Sequence, residues 1–320
     1  MPANSDKPER WKRDIAISVD FYNKWFMKFA PKVYRDTRVT ATEQVELALE
    51  WTANLTNLNT GVLRAHPEIL EMLRMATAPP IARDRLIGLS QASPTVIRAM
   101  ELDHTVPTTM KQNAVDSDLE NVCKLIRAMA DLDIFPWLDS ALLPTAEEMR
   151  RASTIVADRL CGAQSDPIVR NAQEERQLAA IRTWLETRGY TEETSRKGLD
   201  LKGLRPGTFL FRFNVPVKLP TNAKGVNIPV DAAVMPRPAK PGQLPILVEA
   251  KSAGDFTNPN KRRKEEATKI SQLKRTYGNR VQYILFLCGY FDSGYLRYEA
   301  AEGIDWVWEH RMDDLLFFGL

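Results

Sequence analysis

The first half of the chain carries the three- and four-residue spacing of helices. Trp11, Ile15, Val19, Tyr22, Phe26 and Phe29 form one apolar stripe, and Pro31 is expected to close it. A second helix is predicted from near Thr42 through Val45, Leu49 and Leu55, losing its pattern before Gly61. The segment HPEILEMLRMATAPP places a proline in a first turn and ends at the Pro79-Pro80 breaker. Further helices fit 118–132 and 146–160, the latter opened by a Thr145/Glu148 capping box. Ser165-Asp166-Pro167 opens another, with Gly189 as its stop.

After Gly189 the period changes from helix to strand. Phe209, Phe211, Phe213, Val215 and Val217 alternate with other residues. Strands are also predicted at 226–235, 246–251, 281–287 and 304–308, with a helix over 261–277 and a terminal helix. The expected organisation is a helical N-terminal region, 1–164, followed by an α/β domain, 165–320. No internal repeat or low-complexity segment is visible.

Composition narrows the class. With 320 residues, 44% hydrophobic, and a mean hydropathy of −0.33, the chain reads as folded, not disordered. No apolar run approaches the ~20 residues of a membrane span. The polar start MPANSDKPERWKRD lacks a secretory core, so a cytoplasmic, reducing compartment is expected. Cys123, Cys161 and Cys288 form no C-x-x-C pair, and only three histidines occur. A disulfide framework, a zinc site and a His-rich metal site are therefore poor readings. Phosphate-binding glycine loops and the G-x-S-x-G elbow are absent. Trp306, Trp308 and Phe291 read as core, and His310 as a satisfied structural histidine.

Candidate chemistry gathers at Asp231 in VNIPVDAAVM and at Glu249 and Lys251 in LPILVEAKSAG. Two apart on a strand, Glu249 and Lys251 leave the same face. The apolar run Ile246, Leu247, Val248 suggests a strand covered on both sides. If the strand of Asp231, 249 − 231 = 18 positions upstream, is its neighbour, the two carboxylates can converge on Mg²⁺. The Ala250 carbonyl would be a further oxygen ligand. Lys251 would then orient, or help deprotonate, a water attacking phosphorus. The same residues also fit a strand-end ion pair on a solvated face.

Charge distribution adds to this. Residues 251–280 hold nine Lys+Arg against three acids, a local net of +6, whereas the whole chain is only +3. The run Lys261-Arg262-Arg263-Lys264 opens a helix beside the candidate metal strand, an arrangement suited to a polyanion. A solvated helix face partly neutralised by Glu265 and Glu266 is the plainer alternative. Asp255, Asn258 and Asn260 are read as loop residues able to contact bases or phosphates, or as ordinary turn residues. On the helix after Ser165, Glu174 or Glu175 is a candidate outer or second-metal acid, or a surface partner of Arg170 or Arg176.

The strings IPVDAAV, LPILVEAKSAGDFTN, NKRRKEEATK, CGYFDSGYLRYEAAEGIDWVWEHR and RMATAPPIARDRLIGL resemble the XamI family of type II restriction endonucleases. The resemblance runs from Trp11 to Leu320. That family lies within the PD-(D/E)xK nuclease superfamily. The resemblance implies a mixed central sheet flanked by helices, with Asp231, Glu249 and Lys251 as the motif residues. Glu174 or Glu175 would be the acid from the core's first helix. Pro229 departs from the motif, being separated from Asp231 by Val230. The implied activity is Mg²⁺-dependent cleavage of both DNA strands at a short palindrome, leaving 5′-phosphate ends. The namesake reads GTCGAC. A homodimer and a separate cognate DNA methyltransferase are implied as well. Two other readings remain open: a nuclease of repair or defence without a fixed site, and a non-catalytic nucleic-acid-binding protein. Arg83 and Arg85 could assist DNA grip or dimerisation, or belong to a structural scaffold.

Overall fold

The computed structural model describes residues 2–140, 142–194, 201, 203–219, 222–240 and 242–320, without the side chains of Leu219, Asn222, Ala223, Lys224, Asn258, Asn260, Lys261 and Arg262. Nine α-helices are described: α1 (Pro8–Trp51), α2 (Thr60–Ala65), α3 (Leu70–Met75), α4 (Arg83–Ser90), α5 (Pro94–Arg98), α6 (Gln112–Met129), α7 (Ala146–Glu186), α8 (Thr257–Tyr277) and α9 (Ser293–Ala301). The strands are β1 (Thr191–Glu192), β2 (Thr208–Leu219), β3 (Asn222–Val234), β4 (Ile246–Ala253), β5 (Gln282–Gly289) and β6 (Asp305–Trp308). The chain forms two compact units, residues 30–169 and residues 1–29 with 170–320.

Two expected helix ends are not ends. Pro31 lies inside α1, which absorbs both of the first two expected helices, and Pro167 lies inside α7, which joins the expected 146–160 and 165–189 helices. A proline interior to a helix costs one backbone hydrogen bond and a ring clash, about 3 kcal/mol. Long packed faces outweigh that cost here: Ala41, Val45 and Ala48 of α1 and Ala152, Val156 and Leu160 of α7 are buried. Both prolines fall close to the points where the chain passes from one compact unit to the other.

The sheet is mixed, in sequential order β1 to β6. β2, β3 and β4 pair antiparallel as a meander, while β4, β5 and β6 run parallel, with α8 and α9 as crossovers. One face packs Leu247, Leu285, Leu287, Trp306 and Trp308 against Ile270 and Leu273 of α8 and Leu296 of α9. The other packs Ile246, Val248, Ile284, Phe286 and Val307 against Leu178, Ile181 and Leu185 of α7. β4 is thus covered on both faces, which is why its apolar run does not alternate.

The alternating run on β2 does not stay on one face. Phe209 and Phe211 pack in the α7 layer, whereas Phe213, Val215 and Val217 pack in the α8 layer. On β3 the division falls at the same place, with Ala232 and Val234 in one layer and Ile228 and Val230 in the other. Arg212, between the two halves, has φ +51, and a left-handed residue turns a strand over.

Residues 1–29 belong to the sheet unit through a specific tether. The Asp305 carboxylate, at the start of β6, accepts backbone N–H groups of Ala3, Asn4 and Ser5. Asn4 donates to the Trp306 carbonyl at 2.8 Å, and Arg311 reaches Asp14 at 2.8 Å. At the far end of β5, Gly289 (φ +97) packs so closely that a Cβ there would lie 2.1 Å from the Ala253 carbonyl oxygen. Only glycine fits, which explains the glycine of CGYFDSG in physical terms.

The helical unit has its own apolar core, including Leu63, Leu70, Leu73, Leu86, Val96, Leu119, Val122 and Phe135. Its charged centre is Glu101, whose side chain is 1% exposed and accepts from Arg74 Nε at 2.6 Å and Arg83 Nε at 2.6 Å. Arg83 is therefore held by the scaffold, and Arg85 is exposed. Replacing Glu101 by Ala strands two guanidinium groups, one of them buried, and is expected to cost about 3–5 kcal/mol. Urea unfolding of the variant beside wild type measures this. A loss below ~1 kcal/mol would contradict the assignment of Glu101 as the centre of that network.

Candidate active site

Antiparallel pairing of Ala232 with Val248 and Ala233 with Leu247 puts Asp231 across from Glu249. The Ala250 N–H donates to Asp231 Oδ2 at 2.7 Å, tying the two strands together at this point. Burial and then the Glu249 charge push Asp231 up to about 6, and Glu174 adds to the push. The Ala250 N–H and Lys251 draw it partly back.

Glu249 is 6% exposed at the end of an apolar strand. A carboxylate buried there needs compensating charge. Two ammonium groups supply it: Lys251 Nζ lies 3.1 Å and Lys269 Nζ 2.6 Å from Glu249 Oε1. Lys251 also reaches Glu266 Oε1 at 2.8 Å, so the charges alternate along Glu266, Lys251, Glu249 and Lys269. Burial works against the Lys251 ammonium, but Glu249 and Glu266 outweigh it and hold its pKa above the ordinary range. Lys251 is thus suited to carry a positive charge and orient a water.

Both ion pairs of Glu249 fall on one oxygen. The other, Oε2, is buried and has no hydrogen-bond partner among the described residues. A buried anionic oxygen with free lone pairs, beside a second carboxylate that its charge already perturbs, suits a hard divalent cation. Asp231, Glu249 and the Ala250 carbonyl fit Mg²⁺, which takes one or two carboxylates and completes its shell with water or substrate phosphate. Among the described residues, no group of three or more His, Cys, Asp or Glu side chains forms a ready-made metal cage.

The two glutamates of α7 part company. Glu174 is half-buried, pairs with Arg212 at 3.1 Å, and its charge reaches Asp231; Glu175 is exposed. Gln177, one turn on, is buried and donates to the Lys251 and Phe286 carbonyls at 3.3 Å, fastening α7 to β4 and β5.

Of the basic run, Arg263 lies over the Tyr298 ring, 5.0 Å from its centroid, and Lys264 is exposed. Asn258 and Asn260, expected in a loop, lie in the first turns of α8; Pro259, suited to a first helical turn, lets the helix begin at Thr257. Their side chains, with those of Lys261 and Arg262, lie outside the described residues. His310 is not a satisfied histidine: it stacks on Trp308 at 5.8 Å, and neither ring nitrogen finds a partner among the described residues. Burial lowers its pKa, with Arg311 adding to the fall and Asp14 and Asp314 opposing it. Trp306, Trp308 and Phe291 are core. The three cysteines are free and buried.

Sequence reading missed Arg212, Glu266, Lys269 and Glu299. For Glu266 a signal existed. It precedes Ile270, Leu273 and Tyr277 at helical spacing, so it sits on the apolar stripe of α8, where an acid requires a partner. Arg212 carried no such signal, because its left-handed φ leaves no trace in a period-two pattern.

The chain was compared with known proteins. A family model described as XamI restriction endonuclease matches residues 53–308. The type II restriction enzyme SalI of Streptomyces albus G is 54% identical over 314 residues, covering 98% of each chain. The chain belongs to the XamI restriction endonuclease family. The type II restriction enzyme XamI of Xanthomonas campestris pv. amaranthicola is 28% identical over 123 residues, 38% of this chain and 40% of that protein. No solved structure matches. The strings that carry the family resemblance include the strand ends and helix starts that surround Asp231, Glu249 and Lys251. Among the described residues, no helix is long and apolar enough to cross a membrane.

Glu299 is a further buried acid, close enough to feel Glu266 and Lys251. Burial, then the Glu266 charge, push Glu299 up to about 8; Tyr295 draws it partly back. Its ordinary value is 4.5, so an unfolded chain releases this proton well before the folded one does. Between those values folding takes up a proton, and stability falls as pH rises, levelling off above about 8. Glu299→Gln removes that dependence. It should stabilise the protein by on the order of 2–4 kcal/mol at pH 8.5 and by under ~1 kcal/mol at pH 5, read from urea unfolding at the two pH values. An equal effect at both would contradict the protonated buried acid.

Proposed function

We propose that the chain is a type II restriction endonuclease that makes Mg²⁺-dependent double-strand cuts in DNA at a short palindrome, GTCGAC being the first site to test, and leaves 5′-phosphate and 3′-hydroxyl ends. The observation that carries this reading is the split environment of Glu249: one oxygen held by two lysines, the other buried and free beside Asp231. Glu266 also has buried oxygens without a hydrogen-bond partner among the described residues, so what singles out Glu249 is the second carboxylate, Asp231, directly across the strand pair.

In this reading Asp231, Glu249 and the Ala250 carbonyl hold Mg²⁺, which when bound draws charge from the scissile phosphate and lowers the pKa of water. Lys251 orients the attacking water, fixed in turn by Glu266 and Glu249. Water oxygen bonds to phosphorus, losing a proton to solvent, as the P–O3′ bond breaks and the departing O3′ takes up a proton, giving a 3′-hydroxyl and a 5′-phosphate. Glu174 is the outer acid contributed by α7, and Glu175 has no part in the reaction. Asn258, Asn260, Lys261, Arg262, Arg263 and Lys264, at the start of α8, contact the DNA, where the helix's own N-terminal N–H groups also favour an anion.

Residues 165–320 are the catalytic domain, residues 1–29 are tethered to it, and the helical residues between are a scaffold. A twofold target is matched by a homodimer acting in the cytoplasm, with a cognate methyltransferase encoded separately to protect host DNA. A plasmid digest with Mg²⁺ and with EDTA, beside Asp231→Ala, Glu249→Ala and Lys251→Ala, tests the reading. Discrete fragments that require Mg²⁺ are expected, each variant losing cleavage by more than about a thousandfold while Lys251→Ala still binds DNA. A smear in place of bands would point to a nuclease without a fixed site. Retained cleavage by Asp231→Ala or Glu249→Ala would sink the metal assignment.

A further inference from the structure

Arg212 occupies a backbone conformation made for another residue. Its φ of +51 lies in the left-handed region, which glycine adopts freely and asparagine tolerates, and which strains a long side chain. The conformation has a clear task, since β2 passes from one packing layer to the other at this position. Glycine would do that task without strain. The chain uses arginine, and strain of this kind persists where a side chain is needed.

The side chain stands at the site. Arg212 falls between the register pairs Phe211–Ala232 and Phe213–Val230, which sets it across from Asp231. Its Nε donates to Glu174 Oε1 at 3.1 Å, and Glu174 is the acid whose charge reaches Asp231. Yet the ion pair with Glu174 is too exposed to account for the strain, because the Arg212 side chain is 57% exposed and such pairs contribute little to stability. What remains is a planar, always-charged fork of donors, anchored by one edge and open to solvent beside the carboxylates.

We propose that Arg212 binds a DNA phosphate at the cleavage site, with Glu174 aiming its guanidinium. This rests on the nuclease reading above and adds a substrate contact to it. Glu174 Oε1 holds the Nε/Nη2 edge, and the donors left on the fork, chiefly those of Nη1, suit the non-bridging oxygens of a phosphate. The arrangement also balances charge. Asp231, Glu249 and Glu174 would repel a phosphate, and Arg212 sets a positive charge where the polyanion must approach.

The test uses the full-length protein with Arg212→Gly and Arg212→Lys. Glycine keeps the backbone turn, so Arg212→Gly should fold with a Tm at or above wild type. Its binding to a duplex of about 30 base pairs carrying GTCGAC, measured without divalent metal, should show a slope of log K against log salt reduced by about one. Cleavage in Mg²⁺ should slow about tenfold or more. Arg212→Lys should restore the salt slope and only part of the cleavage, because an ammonium lacks the planar fork. An unchanged slope, with or without slower cleavage, would overturn the proposal and leave Arg212 as a partner of Glu174 alone. An unfolded Arg212→Gly would overturn the premise that only the side chain requires arginine. If wild type binds with the steeper slope but cuts nothing in Mg²⁺, the phosphate contact stands and the nuclease reading falls.

Discussion

A carboxylate cannot be buried at the end of an apolar strand without an opposite charge, and Glu249 meets that requirement in a lopsided way. Lys251 from its own strand and Lys269 from α8 both attach to Oε1, while Oε2 is left buried and bare. Other features near the site follow. Glu266 is buried where it can hold Lys251, Glu299 is pushed towards its neutral form by burial and then by Glu266, and Asp231 is pushed up by burial and then by Glu249. With Glu299 in its neutral form, three carboxylates and two ammonium groups still leave an excess of negative charge. In the nuclease reading proposed above, a divalent cation would relieve it.

The second constraint is geometric. A single long hairpin, β2 and β3, must serve both packing layers of the sheet, so it turns over along its length. The turn-over falls at Arg212 and Asp231. The site is therefore built where the sheet is least regular, between residues buried in one layer and residues buried in the other. α7 closes the site from one face through Gln177 and Glu174, and α8 closes it from the other through Glu266 and Lys269.

Much of the architecture was legible in the chain. Period-two runs marked β2 and β3, uninterrupted apolar runs marked β4 and β5, and the capping box at Thr145 and Glu148 is formed, with the Glu148 N–H donating to Thr145 Oγ1 at 3.2 Å. The local rule failed where packing outweighed it. Pro31 read as a stop and Pro167 as part of a new helix start, yet each lies within one continuous helix that has buried positions on either side of it. The spacing of Asp231, Glu249 and Lys251 foretold three residues that meet on adjacent strands. Of their partners on α8, Lys269 was hidden within what read as a solvated basic run, whereas Glu266 stood on the apolar stripe and was weighed only as partly neutralising that run. Arg212 was invisible because the anomaly is a dihedral angle, and arginine in a strand pattern is unremarkable.

The central claim is that Glu249 presents a free oxygen to a metal shared with Asp231. A Mn²⁺-soaked crystal of the protein, measured for anomalous scattering, tests it most directly. The account predicts a peak bonded to both Asp231 and Glu249, with Lys251 and Lys269 still gathered at the other Glu249 oxygen. A metal bound instead between Glu266 and Glu299, or no metal at Glu249 at saturating Mn²⁺, would contradict it.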